Sequence, residues 1–139
     1  MITYVLDTNT ISYFLRDEGN VRQHVRQEFS DYGNSYAIPF VIFYEAKRWL
    51  LYKPTKILKD YNKKFDVLFQ GVQDTAEMPI EVWKKATEIY MQLQRKGQLI
   101  KDADILIASY CIVHDYTLVT RNKSDFERID GLKFVNWYD

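Results

Sequence analysis

The sequence holds one cysteine, Cys111, in 139 residues. A single thiol excludes a disulfide framework and a cysteine-based zinc site. The chain also lacks a charge excess, with 19 Lys and Arg against 19 Asp and Glu. Net charge therefore names no partner. It excludes a globally basic nucleic-acid binder but leaves room for a local basic face. No apolar run approaches the roughly 18 residues that cross a bilayer, and the start of the chain has no signal-like pattern, so the expected compartment is the cytoplasm. Repeats and low-complexity linkers are absent. Only two histidines occur, His24 and His114. They lie in helical stretches without ligand spacing and read as ordinary surface or boundary residues.

What the chain does have is apolar mass. It is 47% hydrophobic and 16% aromatic, enough for a sizeable core and unlike a disordered composition. The length suits one domain, 1–139. "ITYVL" (2–6) is a short apolar run that stops at Asp7 and predicts a buried strand. "TNTISYFLRD" predicts a short helix. Val21, Val25, Phe29 and Tyr32 predict a second, ending near Gly33. "YAI" (36–38) predicts a strand, and Pro39 opens a helix running to about Leu51.

Ile57, Leu58, Tyr61, Phe65, Leu68 and Phe69 form another helical stripe, stopped before Gly71. "AEMPI" holds a weak strand candidate. Pro79 and Gly97 bracket a helix with Val82, Trp83, Ala86, Ile89, Tyr90 and Leu93 on one face. A further helix runs from about Asp102 to His114, then "YTLVT" (116–120) and "LKFVNW" (132–137) predict strands. Strands alternating with helices predict an α/β fold, a three-layer α/β/α sandwich around a mostly parallel sheet of four to five strands. In such folds sites gather at the carboxyl ends of the strands, near the switch in strand order. Asp7, Glu45, Thr120, Arg121 and Asn122 fall after strands, and Asp102 and Asp104 lie in the helix before one.

Two of these acids compete within "IKDADILIAS". On a helical wheel Asp102 and Asp104 are about 160° apart, since two residues advance about 200°. Asp104 then heads the small apolar stripe of Ile107, Ala108 and Cys111, while Asp102 falls beside Ser109 on a polar arc. Asp102 reads as an N-cap or first-turn acid complementing the helix dipole. Asp104 reads either as a core acid paired with Lys101 or Arg121, or as a functional one, because a buried charge needs a partner or a metal. Asp7 alone could cap the next helix, and Glu45 alone could be a plain surface acid. If the fold brings all three together, they repel unless a divalent cation neutralises them. Oxygen-only ligands suit Mg²⁺ or Mn²⁺ rather than zinc.

Four stretches, "YVLDTNTISYFL", "IPFVIFYEAKRWL", "KGQLIKDADILIASYCIVHDYTLVTRN" and "DFERIDGLKFVNWYD", resemble the PIN-domain ribonucleases, and specifically the VapC-like toxins of toxin–antitoxin pairs. The resemblance runs end to end. It implies an acidic site of Asp7, Glu45 and Asp104, since Asp104, not Asp102, stands directly before the two residues leading into "IA". A fourth acid often follows the "VT" strand as "TND"; here "TRN" puts Asn122, a poorer cation ligand, in that slot. Asp125 is expected to cap or pair locally. Asn9, Thr120 and Asn122 would support the ligands or hold water.

The resemblance further implies a metal-dependent endoribonuclease that leaves a 5′-phosphate and a 3′-hydroxyl. Asp7 and Asp104 would hold Mg²⁺ (or Mn²⁺), and Glu45, itself in reach of the ion directly or through water, would orient or deprotonate the attacking water. It implies tRNA or rRNA as substrate, inhibition of translation, a cognate antitoxin and a homodimer. For holding RNA, residues 47–64 carry seven Lys or Arg against Asp60, with aromatics interleaved. Lys56, Lys59, Lys63, Arg121 and Lys123 are the candidate contacts. The alternative is a catalytically weak PIN fold that binds RNA or protein. A haloacid-dehalogenase-type phosphatase needs a second acid two residues after Asp7, where Asn9 stands.

Overall fold

The computed structural model describes residues 1–72 and 77–139. Four strands form one all-parallel sheet: β1 Thr3–Leu6, β2 Ser35–Ala37, β3 Thr117–Val119 and β4 Lys133–Val135. Their spatial order is β2-β1-β3-β4. The chain leaves β1 for one side of the sheet and later crosses to the other. Right-handed crossovers in opposite directions put helices on both faces. The strand order therefore switches between β1 and β3, where the register pairs Leu6 with Val119. Both strands are almost wholly apolar and buried, as strands covered on two faces must be.

The helices are α1 Thr8–Arg16, α2 Val21–Val25, α3 Phe40–Leu50, α4 Lys56–Gln70, α5 Ile80–Arg95, α6 Asp102–His114 and α7 Lys123–Phe126. Pro39 and Pro79 stand as the N-caps of α3 and α5, one position outside the helix, where the missing N–H costs nothing. α1, α3 and α4 pack on one another, and α5 lies along α6. "AEMPI" begins outside the described residues. Within them, 77–79 join no strand and Ile80 opens α5.

Three local expectations are corrected. α2 passes into a π-helical run, Arg26–Asp31, whose wider turn breaks the four-residue stripe. Phe29 stays partly in the core, but Tyr32 is exposed. On α5, Trp83 and Tyr90 are not in the buried stripe with Val82, Ala86, Ile89 and Leu93. And α6 has no polar arc: Ser109 is fully buried, its hydroxyl donating to the Ile105 carbonyl at 2.6 Å. α6 is a central helix, apolar nearly all round.

Candidate active site

The site is assembled at the switch point. Leu6 ends β1, and the Asp7 N–H still donates to the Val119 carbonyl of β3 at 3.2 Å. Asp7 then caps α1: its Oδ1 accepts from the Thr10 N–H at 2.8 Å. The Thr10 hydroxyl donates to the same Val119 carbonyl at 3.0 Å, tying the α1 start to both central strands. Asp7 is thus a cap, as its local sequence allows, and also a buried carboxylate at the strand end. Burial raises its pKa; hydrogen bonds from Thr120 and Thr10 oppose the rise, and the Glu45 charge adds to it.

Asp104 reaches the same region from the first turn of α6. Its carboxyl is pushed up to about 6, first by burial and then by the charge of Glu45, with Asp125 and Asp7 adding to it; Lys101 acts the other way. Glu45, on α3, accepts from the Thr8 hydroxyl at 2.8 Å, which fixes it against the start of α1. So α1, α3 and α6 bring Asp7, Glu45 and Asp104 close enough to repel one another. Asp102 points into solvent, and its helix is capped at Lys101. Beneath the site, the thiol of Cys111 is held protonated by burial, helped by the Asp7 charge.

No Lys or Arg nitrogen of the described residues lies within 4 Å of these three carboxylates. Lys101 influences Asp104 only from further away. Arg121, the other expected partner, turns elsewhere: its guanidinium sits 3.6 Å from the Tyr138 ring centre, and its Nε is 3.6 Å from Asp139. Nor do any three His, Cys, Asp or Glu side chains, among the described residues, stand gathered as a finished ligand set. An open oxygen-donor set of this kind suits a hard divalent cation coordinated only in part by protein. Such an ion keeps several waters and takes one or two carboxylates directly. All-oxygen donors with unmet negative charge are the matching chemistry.

The remaining candidates separate. Thr120 is buried, contributes to the Asp7 hydrogen bonding, and its hydroxyl accepts the Asn122 N–H at 3.1 Å. Asn122 caps α7: its Oδ1 accepts from the Asp125 N–H at 3.4 Å, and its Nδ2 donates to the Asp125 carboxylate at 2.9 Å. Asn9 is exposed on the first turn of α1. Lys56, Lys59, Lys63 and Lys123 are all exposed, the first three on α4 and Lys123 at the start of α7. Asp125 pairs locally with Arg128 at 3.9 Å, as expected. Sequence reasoning missed that its charge also reaches Asp104. It missed Thr8 as well; the only signal was a hydroxyl next to Asp7 in "DTN".

A protein-family description, PIN domain, matches residues 4–132. Ribonuclease VapC1 of Methanocaldococcus jannaschii is 33% identical over 87 residues, 61% of this chain and 58% of that one. That match spans less than two thirds of the relative's length. Ribonuclease VapC2 of Rickettsia felis is 28% identical over 138 residues, covering 96% of this chain and 97% of the relative. Among solved structures, VapBC2 from Rickettsia felis, bound to a DNA fragment from its promoter, superposes with a TM-score of 0.85 at 25% identity. It covers 98% of this chain and 99% of that one. With the family description spanning nearly all of it, and the sheet order and acidic edge described above, this chain belongs to the PIN-domain family.

Proposed function

We propose that the protein is a divalent-metal-dependent endoribonuclease, with Mg²⁺ as the metal, and the toxin of a toxin–antitoxin pair that inhibits translation. One observation carries this reading: three carboxylates at the switch point of a PIN-domain sheet, with no Lys or Arg of the described residues in ion-pair distance of any of them. Asp7 and Asp104 hold the ion. Glu45, kept in place by Thr8, is in reach of it directly or through water and orients or deprotonates the attacking water. A bound Mg²⁺ supplies positive charge at the phosphate and a lowered pKa for that water. Thr120 supports Asp7, Asn9 holds water at the rim, and Asn122 supports the site through Asp125, whose charge reaches Asp104. Lys56, Lys59, Lys63, Arg121 and Lys123 contact the RNA backbone.

The relatives named as ribonucleases support RNA as substrate; tRNA or rRNA is the target class this reading proposes. The likeness to the VapBC2 structure supports a cognate antitoxin; a homodimer and a cytoplasmic setting are further parts of this reading. Among the described residues no helix is long and apolar enough to cross a membrane. The whole chain acts as one domain in this reading. A second reading, a catalytically weak RNA- or protein-binding module, is favoured by Asn122, whose amide is spent on capping α7. Incubating a total tRNA and rRNA pool with Mg²⁺ separates them. Cleavage that chelator and Asp104→Asn both abolish supports the nuclease. Cleavage that survives either one refutes the metal site, and binding without cleavage favours the module.

A further inference from the structure

The exposed side of α3 carries a feature that the acid cluster does not use. Phe40, Tyr44 and Arg48 recur every fourth residue and share one face. Phe40 is 50% exposed and Tyr44 60% exposed. The Arg48 guanidinium lies 5.3 Å from the centre of the Tyr44 ring. Just past the helix, Tyr52 is 77% exposed, with the Lys53 ammonium 5.6 Å from its ring. Two large exposed rings one helical turn apart on the same face make it a candidate binding surface.

The chemistry of this strip selects its occupant. Two of the three rings are each paired with a cation, and no carboxylate of the described residues lies within 4 Å of Arg48 or Lys53. Protein–protein interfaces are enriched in Tyr, Phe and Arg but depleted in Lys, so Lys53 is the member of the strip that a protein contact disfavours. A single-stranded nucleic acid instead asks for π-faces and phosphate-neutralising cations in alternation. Position agrees. Tyr44 adjoins Glu45, so their Cα atoms are about 3.8 Å apart. Glu45 accepts from Thr8 at the start of α1, while Tyr44 is exposed.

We propose that Tyr44, backed by Arg48, is a base-stacking platform that seats an unpaired nucleotide next to the scissile phosphate, with Phe40 extending it along α3. This inference rests on the nuclease reading and adds to it a requirement for single-stranded RNA at the cut. Tyr44 is a positioning residue here; it touches a base and not the reacting atoms.

Affinity for a fluorescein-labelled single-stranded hexaribonucleotide, and for its abasic counterpart, tests this by anisotropy in chelator, where no cleavage intervenes. Tyr44→Ala is expected to weaken binding of the normal strand roughly tenfold. Tyr44→Phe, which keeps the π-face, is expected to stay within about twofold of wild type. On the abasic strand all three proteins bind alike. Equal affinity of Tyr44→Ala and wild type for the normal strand overturns the proposal, as does an equal loss on both strands or no binding by wild type. Unchanged RNA affinity with loss of self-association assigns the strip to a protein contact and also overturns it. Cleavage of the tRNA and rRNA pool by wild type but not Asp104→Asn is scored separately, so the platform can fall while the nuclease stands.

Discussion

Two regions of this molecule treat charge in opposite ways. At the corner where α1 ends and the C-terminal segment returns, charges are matched. Arg16 meets Glu18 at 3.1 Å, Arg22 meets Asp17 at 3.7 Å, and Arg121 meets Asp139 at 3.6 Å. Arg22 also donates to the Phe14 and Leu15 carbonyls at the end of α1. At the switch point, none of Asp7, Glu45 and Asp104 has such a partner among the described residues, and burial first, then the Glu45 charge, pushes the Asp104 carboxyl up to about 6. The corner is built for stability. The switch point holds mutual repulsion among its carboxylates, the electrostatic setting in which the proposed cation would bind.

The sharpest way to break this contrast is Asp104→Asn. Loss of a group that merely supports a metal ligand costs ten to a hundredfold in activity, so loss of the ligand itself should cost more than about a hundredfold. The check is initial rates of RNA cleavage at saturating Mg²⁺. A variant within tenfold of wild type would move the site away from Asp104. The same substitution should stabilise the metal-free protein at neutral pH, since it removes a carboxylate that the fold penalises. Lost activity with gained stability is the pattern of a functional acid; a paired structural acid gives the reverse.

pH sharpens the same comparison. Asp104 binds its proton more tightly folded than unfolded, so its contribution favours folding fully at pH values below the ordinary carboxylate range. That contribution is lost as pH rises from about 4 through about 6. The raised pKa of Asp7 acts in the same direction. Metal-free wild type should therefore melt lower at pH 7 than at pH 5, and Asp104→Asn should flatten that slope. Mg²⁺ should restore the wild-type melting temperature at pH 7 and leave the variant unmoved. A flat wild-type profile between pH 4 and 7 would mean the acids are compensated after all.

At the matched corner, Gly19→Ala probes stability without chemistry. Gly19 has φ +61, and a Cβ there would stand 2.6 Å from the Tyr138 carbonyl oxygen. The left-handed conformation alone costs a non-glycine residue about 1–2 kcal/mol, and the backbone clash adds to that. The Tyr138 carbonyl also accepts the Asn20 N–H at 3.0 Å, and its ring carries Arg121, so the segment has little room to retreat. Chemical denaturation should show the loss, while the Mg²⁺-dependent rise in melting temperature persists. If that rise disappears as well, corner and site are one cooperative unit.

The sequence made some of this legible and hid the rest for identifiable reasons. β1 and β3 were plain because strands covered on both faces must be continuous apolar runs. α5 was bracketed correctly by Pro79 and Gly97, with Gly97 at φ 65. The inward stripe of α5 was drawn too wide: helical spacing puts Trp83 and Tyr90 near the buried face but cannot say where a neighbouring helix stops covering it. The π-helical run defeated a fixed period, since nothing in "RQEFSD" announces the wider turn. α7 spans only Lys123–Phe126, too short for any period. The convergence of Thr8 with Glu45, 37 positions apart, is a property of the packed fold and not of either segment.

"IKDADILIAS" shows how a right separation can rest on a wrong reason. The wheel put Asp102 on a polar arc with Ser109, yet Ser109 is buried and α6 has no such arc. What separates the two acids is depth along the helix. Both lie in the first turn, but Asp102 is exposed while Asp104 is half-buried and feels the charges of Glu45 and Asp7. The difference resets the smallest expected effect. As an N-cap, Asp102 would be worth about 1 kcal/mol. Lys101 occupies the cap, no side-chain cap hydrogen bond is made, and Asp102 contributes only its charge near the helix N-terminus. Asp102→Asn should therefore cost just a few tenths of a kcal/mol, and less at high salt, because this dipole interaction is exposed and screened. Cleavage should stay within about twofold of wild type. Paired salt-dependent melts of the two asparagine variants decide the matter: a salt-sensitive loss at Asp102 and a pH-sensitive gain at Asp104 are opposite signs from two residues one position apart from being neighbours.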